Sequence, residues 1–109
     1  MRGLDVFPST PLLLCLLITS PVLAEDASAA RGRAFARENC ARCHAIGSRG
    51  ASPMHAAPPL RALAKQFPIE DLADVLVEGI GRRHPAMPDF RLDAADAADL
   101  TAYLRALRR

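Results

Sequence analysis

The chain has 109 residues, half of them hydrophobic, with 14 Lys and Arg against 12 Asp and Glu, for a net charge of +2. That length bounds it to one domain, and so small a charge excess argues against nucleic acid as a partner. With no Trp, one Tyr and four Phe, the chain has few large side chains, and a core this thin commonly needs a staple.

The first recognisable element is a leader. After Arg2 the stretch "PLLLCLLITSPVLA" runs apolar from Pro11 to Ala24, with Val22 and Ala24 at the −3 and −1 positions of a cleavage site. The pattern predicts a secretory signal peptide over residues 1–24, cleaved after Ala24, and a periplasmic domain over residues 25–109. The run is shorter than the roughly 20 residues of a spanning helix, so no integral membrane segment is expected in the mature chain. Cys15 lies within the leader, preceded by Leu14 rather than a small residue, and is read as leaving with it. Only Cys40 and Cys43 then remain. A bridge between them would close a tiny loop and stabilise little.

Apolar spacing predicts three main helices and a short one, and therefore an all-α fold. The first is expected from Ser28, as N-cap, to Cys43, with Gly32 and Phe35 on one face. A short helix is expected near Leu60 to Gln66. The next starts at "FPIEDLADVLVEGIG", with Pro68 at its first position and Gly79 and Gly81 at its exit. Its apolar stripe is Ile69, Leu72, Ala73, Leu76 and Ile80. The last begins near Asp93, has Asp96 at its acidic end and Arg105, Arg108 and Arg109 at its basic end, and buries Leu100, Tyr103, Leu104 and Leu107. No run alternates as a half-buried strand would. Two Pro- and Gly-rich loops, "IGSRGASPMHAAPP" and "GRRHPAMPDF", separate these helices, and loops of that length usually have a task.

The first helix ends in "CARCH", and three chemistries compete for it. A thiol–disulfide centre normally sits at a helix start beside a strand; here the motif ends a helix and no strand is expected. Zinc needs four ligands at fixed separations, and His55 and His84 do not provide the paired spacing. A covalent haem asks for less: two thiols three residues apart reach the porphyrin's two vinyl groups, and His44 is then held beneath the iron. Export fits such a cofactor, and its apolar bulk fills the thin core. For the second axial position Met87, between Pro85 and Pro88, is the leading candidate, because prolines stiffen the loop that presents it. Met54 and His84 are the alternatives, and a core-filling methionine is the bland reading of Met87.

With these features in place the sequence resembles a class I mono-haem cytochrome c over essentially all of its mature length. The likeness is carried by Gly32 and Phe35 ahead of "CARCH", by "APPL", by "HPAMPDF" and by "LTAYLRAL" in the last helix. It implies one haem c bound through Cys40 and Cys43, with axial ligands His44 and Met87. It implies that the Pro58 carbonyl receives the Nδ1–H of His44 and that Leu60 touches the haem plane. It further implies that the first and last helices cross at Gly32, Leu100 and Tyr103. The family's usual aromatic lies one residue nearer the first cysteine than Phe35, where this chain has Ala36. The implied function is electron transfer by a soluble periplasmic carrier, with both axial positions filled and no enzymatic site. The alternatives are a haem subunit of a larger oxidoreductase complex and a ligand-binding haem sensor.

Charge placement adds an expectation about partners. No acid occurs from Asn39 to Pro68, which holds Arg42, Arg49, Arg61 and Lys65, or from Gly79 to Pro88, which holds Arg82 and Arg83. Arg42, Arg82 and Arg83 are expected to make the haem-edge side basic, steering redox partners with acidic surfaces.

Overall fold

The computed structural model describes residues 3–4, 8, 11–16, 21–79, 86–88 and 91–109. Four helices follow in chain order: α1 (Pro21–Asn39), α2 (Leu60–Gln66), α3 (Ile69–Glu78) and α4 (Ala94–Arg108). The described residues contain no strand, so the fold is all-α, as expected. No helix among them is long and apolar enough to cross a membrane.

Local chemistry accounts for most helix ends. Pro59 and Pro68 stand immediately before α2 and α3 in extended conformation, so Pro68 is the residue before the helix rather than its first position. Phe67, between the two, is pushed to φ −124° and ψ 150° by the proline that follows it. Gly79 ends α3 at φ 105°, a conformation that favours glycine, and its N–H donates to the Val75 carbonyl at 2.9 Å. Asp93 caps α4, its Oδ1 accepting from the Asp96 N–H at 2.7 Å, while Arg105 and Arg108 occupy the last turn.

The first helix differs from its expected bounds at both ends. It starts seven residues earlier, at Pro21, whose fixed φ and missing N–H suit a first helical turn. It therefore runs through the expected cleavage point between Ala24 and Glu25. Ser28 is no cap: its hydroxyl donates across to Asp99 Oδ1 at 2.7 Å. The helix stops at Asn39, four residues before Cys43.

The four helices are gathered by α4, which lies across α1 and also meets α2 and α3. Gly32 lets the two long helices touch; a Cβ there would stand 2.0 Å from the Asp99 carbonyl oxygen and 2.9 Å from Tyr103 Cβ. Beside this crossing Arg31 donates to both Asp99 oxygens, at 3.0 and 3.1 Å. Ala36 is fully buried where the family places an aromatic. The core also holds Leu60, Ala64, Ile69, Leu92, Leu100, Tyr103 and Leu104, of which Ile69 is the largest fully buried side chain. Phe35, Cys40, Leu63, Leu72 and Leu76 are only partly covered at its edge. The core is thus thin and open on the side where the cysteines lie.

Candidate functional site

The end of α1 shapes the site. The Ala41 N–H reaches back five residues to the Ala36 carbonyl at 3.0 Å, widening the last turn. The N–H groups of Cys43 and His44 then both donate to the Cys40 carbonyl, at 3.2 and 2.9 Å. This tight turn places Cys40, Cys43 and His44 on one wall of a cavity of about 550 Å³. That volume falls in the range of roughly 300–1,000 Å³ usual for small-molecule and cofactor sites. An adjoining lobe of about 90 Å³ is wholly apolar and shares Cys40, His44 and Met87 with the larger one.

The histidine is oriented by the loop that follows it. His44 Nδ1 lies 2.6 Å from the Pro58 carbonyl oxygen. A carbonyl only accepts, so Nδ1 donates the proton of this bond and Nε2 is the nitrogen left for a metal. A neutral imidazole with its second nitrogen bonded to a carbonyl is the usual state of a metal-ligating histidine. Leu60 is buried and lines the apolar lobe, while Pro58 lines the larger cavity. Phe35 turns into the same lobe, one residue away from fully buried Ala36. Met87 lies on the walls of both lobes with Pro88 beside it; Pro85, His84, Arg82 and Arg83 fall outside the described residues.

The surroundings of the cysteines speak against a thiol–disulfide centre. Cys40 and Cys43 are free thiols. Burial pushes the Cys40 thiol up to about 11, opposite to the depressed pKa that makes a redox thiol reactive. Among the described residues no three His, Cys, Asp or Glu side chains gather to hold a metal ion. Two thiols, a preoriented imidazole and an apolar slot fit a covalently attached porphyrin.

Two further residues line this wall: Met54, the alternative axial candidate from the sequence, and Glu38, which the sequence did not single out. Met54, which is 41% exposed, lines the larger cavity, where its N–H donates to the Cys43 carbonyl at 3.1 Å. Glu38 lines it too, beside exposed Arg42. The acid-free window from Asn39 begins one residue too late to include it. No sequence periodicity marks Met54; its position follows from that one backbone bond.

Comparisons with known proteins agree with this arrangement. Residues 27–104 match the family described as "Cytochrome C oxidase, cbb3-type, subunit III". The chain is 32% identical over 102 residues to cytochrome c-552 of Bradyrhizobium diazoefficiens, covering 87% of this chain and 92% of that protein. It is 34% identical over 88 residues to a cytochrome c-553-like protein of Synechocystis, covering 81% of this chain and 77% of that one. No solved structure matches significantly.

Proposed function

The chain belongs to the cytochrome c family, and on that footing we propose that it is a soluble periplasmic electron carrier with His44 and Met87 as axial ligands. Members of the family bind haem c covalently and serve haem-based electron transfer. When bound, the group supplies a one-electron couple. Cys40 and Cys43 are the residues that would attach it. His44 offers Nε2 to the iron, and the Pro58 carbonyl fixes its tautomer and strengthens its donation. Met87 offers a soft thioether, which favours Fe(II) and raises the potential. Leu60, buried in the apolar lobe, would keep water from the group. With His44 and Met87 both holding the iron, no position would be left for a substrate, which supports reading the protein as a carrier and not an enzyme.

The observation that carries this reading is the 2.6 Å bond from His44 to Pro58 on the same cavity wall as two free thiols. The domain organisation is a leader over residues 1–24, cleaved after Ala24, and a mature domain from Glu25. Redox partners are proposed to dock on a basic haem-edge side, which the sequence assigns to Arg42, Arg82 and Arg83, the last two lying outside the described residues. A second reading, a haem subunit of a terminal oxidase, is favoured by the wording of the matched family; co-purification with a membrane oxidase distinguishes it. The test is an absorbance spectrum together with a haem stain after denaturation. Haem retained in the wild type and lost or poorly attached in Cys40→Ala and Cys43→Ala is expected. Stain-negative wild-type protein from cells competent in haem attachment would refute the function.

A further inference from the structure

Residues 45–59 form neither helix nor strand, yet they end in the carbonyl that meets His44. Three bonds hold the base of this loop. The Ala45 N–H donates to Ser52 Oγ at 2.9 Å, the Met54 N–H to the Cys43 carbonyl at 3.1 Å, and the Leu60 N–H to the Ala45 carbonyl at 2.9 Å. Its far end is held differently. Arg61, in the first turn of α2, sends Nη2 back to the Gly50 carbonyl at 2.7 Å. Gly50 sits at φ 93° with open space around the place of a Cβ, so the chain turns there without packing support. The other guanidinium nitrogen, Nη1, is buried without an acceptor. Burying such a donor unpaired is unfavourable, and an apolar chain of similar volume would avoid the penalty. What Arg61 adds is therefore its single bond to the loop.

We propose that Arg61 is a positioning residue: by holding the Gly50 carbonyl it sets the loop that presents Pro58, and through Pro58 it sets the electron donation of His44. This rests on the reading of His44 as the proximal ligand. A loosened loop lengthens the Nδ1–H bond to Pro58, the imidazole becomes a poorer donor, Fe(III) is stabilised less, and the potential rises.

The test uses the holoprotein and two readouts, the midpoint potential and the NMR exchange rate of the His44 Nδ1 proton. Arg61→Met is expected to raise the potential and speed the exchange several-fold. Arg61→Lys, which still has a donor for Gly50, is expected to restore most of both. Gly50→Ala strains the acceptor end without a steric clash and is expected to move both readouts the same way; combined with Arg61→Met it adds little further. Wild-type values in Arg61→Met overturn the proposal, even if thermal stability falls. Should Arg61→Met fail to mature, wild-type values in Gly50→Ala overturn it instead. Wild-type protein without covalent haem would overturn the proposed function and this inference together; wild-type haem with unmoved variant readouts overturns the inference alone.

Discussion

Gly32→Ala tests the crossing on which the site is hung. The added Cβ would stand 2.0 Å from the Asp99 carbonyl oxygen, 2.6 Å from its carbonyl carbon and 2.9 Å from Tyr103 Cβ. Comfortable contacts between carbon atoms are about 3.5–4.0 Å, so the helices must part by more than roughly 1 Å. The obstacle is mainly backbone, which cannot swing aside as a long side chain would. Overpacking of this kind costs about 1–3 kcal/mol. In an unpacked helix the same change would gain about 1 kcal/mol from propensity. The two effects have opposite signs, so the sign of the result decides. Because the obstacle is backbone, the cost lies in the upper part of that range, about 2–3 kcal/mol, and the propensity gain leaves a net loss of about 1–2 kcal/mol, with a fall in Tm of about 4–8 °C for each kcal/mol in a domain this size. Tyr103 moves with α4, and its hydroxyl donates to the Ile46 carbonyl, two residues past His44, at 2.5 Å. The loss should therefore reach the proximal segment. The assay is thermal unfolding of the holoprotein followed by circular dichroism. A Tm equal to or above wild type would refute the close approach of α1 and α4.

Three further outcomes are expected. Met87→Ala should keep covalent haem, lower the midpoint potential and let cyanide or CO bind much faster; an unchanged spectrum would move the ligand to Met54 or His84. The Arg31 guanidinium, and then Ser28, hold the Asp99 carboxyl below the usual range, and Arg105 does the same for Glu70. A lowered folded-state pKa gives stability that is present above the unfolded value, about 4, and is lost as pH falls through the folded value. Asp99→Asn should thus lose stability at neutral pH and show a flatter decline in acid; parallel acid-unfolding curves would contradict this. Reversing Arg42, Arg82 and Arg83 to Glu should slow association with an acidic redox partner at low salt, with the gap closing as the Debye length shrinks from about 10 Å at 0.1 M salt to about 3 Å at 1 M. Equal stopped-flow rates at low salt would remove this face from docking.

What could be read in the sequence was whatever is encoded locally. The bounds of α2 follow from Pro59 on one side and Pro68 on the other, and the start of α4 from the Asp93–Asp96 cap. The cysteines and His44 announce their cavity by spacing alone. The start of α1 was misplaced because the Ser28 hydroxyl can either accept from a nearby backbone N–H as a cap or donate elsewhere, and it donates to an acceptor 71 positions along the chain. Its end was misplaced because the turn at Cys40 replaces regular helix with bonds of other spacings. The resemblance puts an aromatic near the helix crossing where this chain has Ala36, and the contact there is too close for a ring. Ala36 takes the buried place and Phe35 serves the apolar lobe. Glu38 and Met54 owe their positions to the last turn of α1 and the path of the first loop, and the bond from Arg61 depends on that same loop, which has no periodicity to read.

The pairing of α1 with α4 also orders events in time. A chain made or exported from its N-terminal end presents the CxxCH segment well before α4, with Asp99 and Tyr103, exists to pack against α1. Until then Gly32 faces no helix, and Cys40 lacks part of the packing that buries its sulfur. The thiols are thus presented while the domain is half built, and the final helix is the latch that completes the packing around Cys40. Chains ending at Asp93 should keep both thiols reactive towards a small alkylating reagent, whereas protected thiols in such chains would show that the pocket closes without its latch.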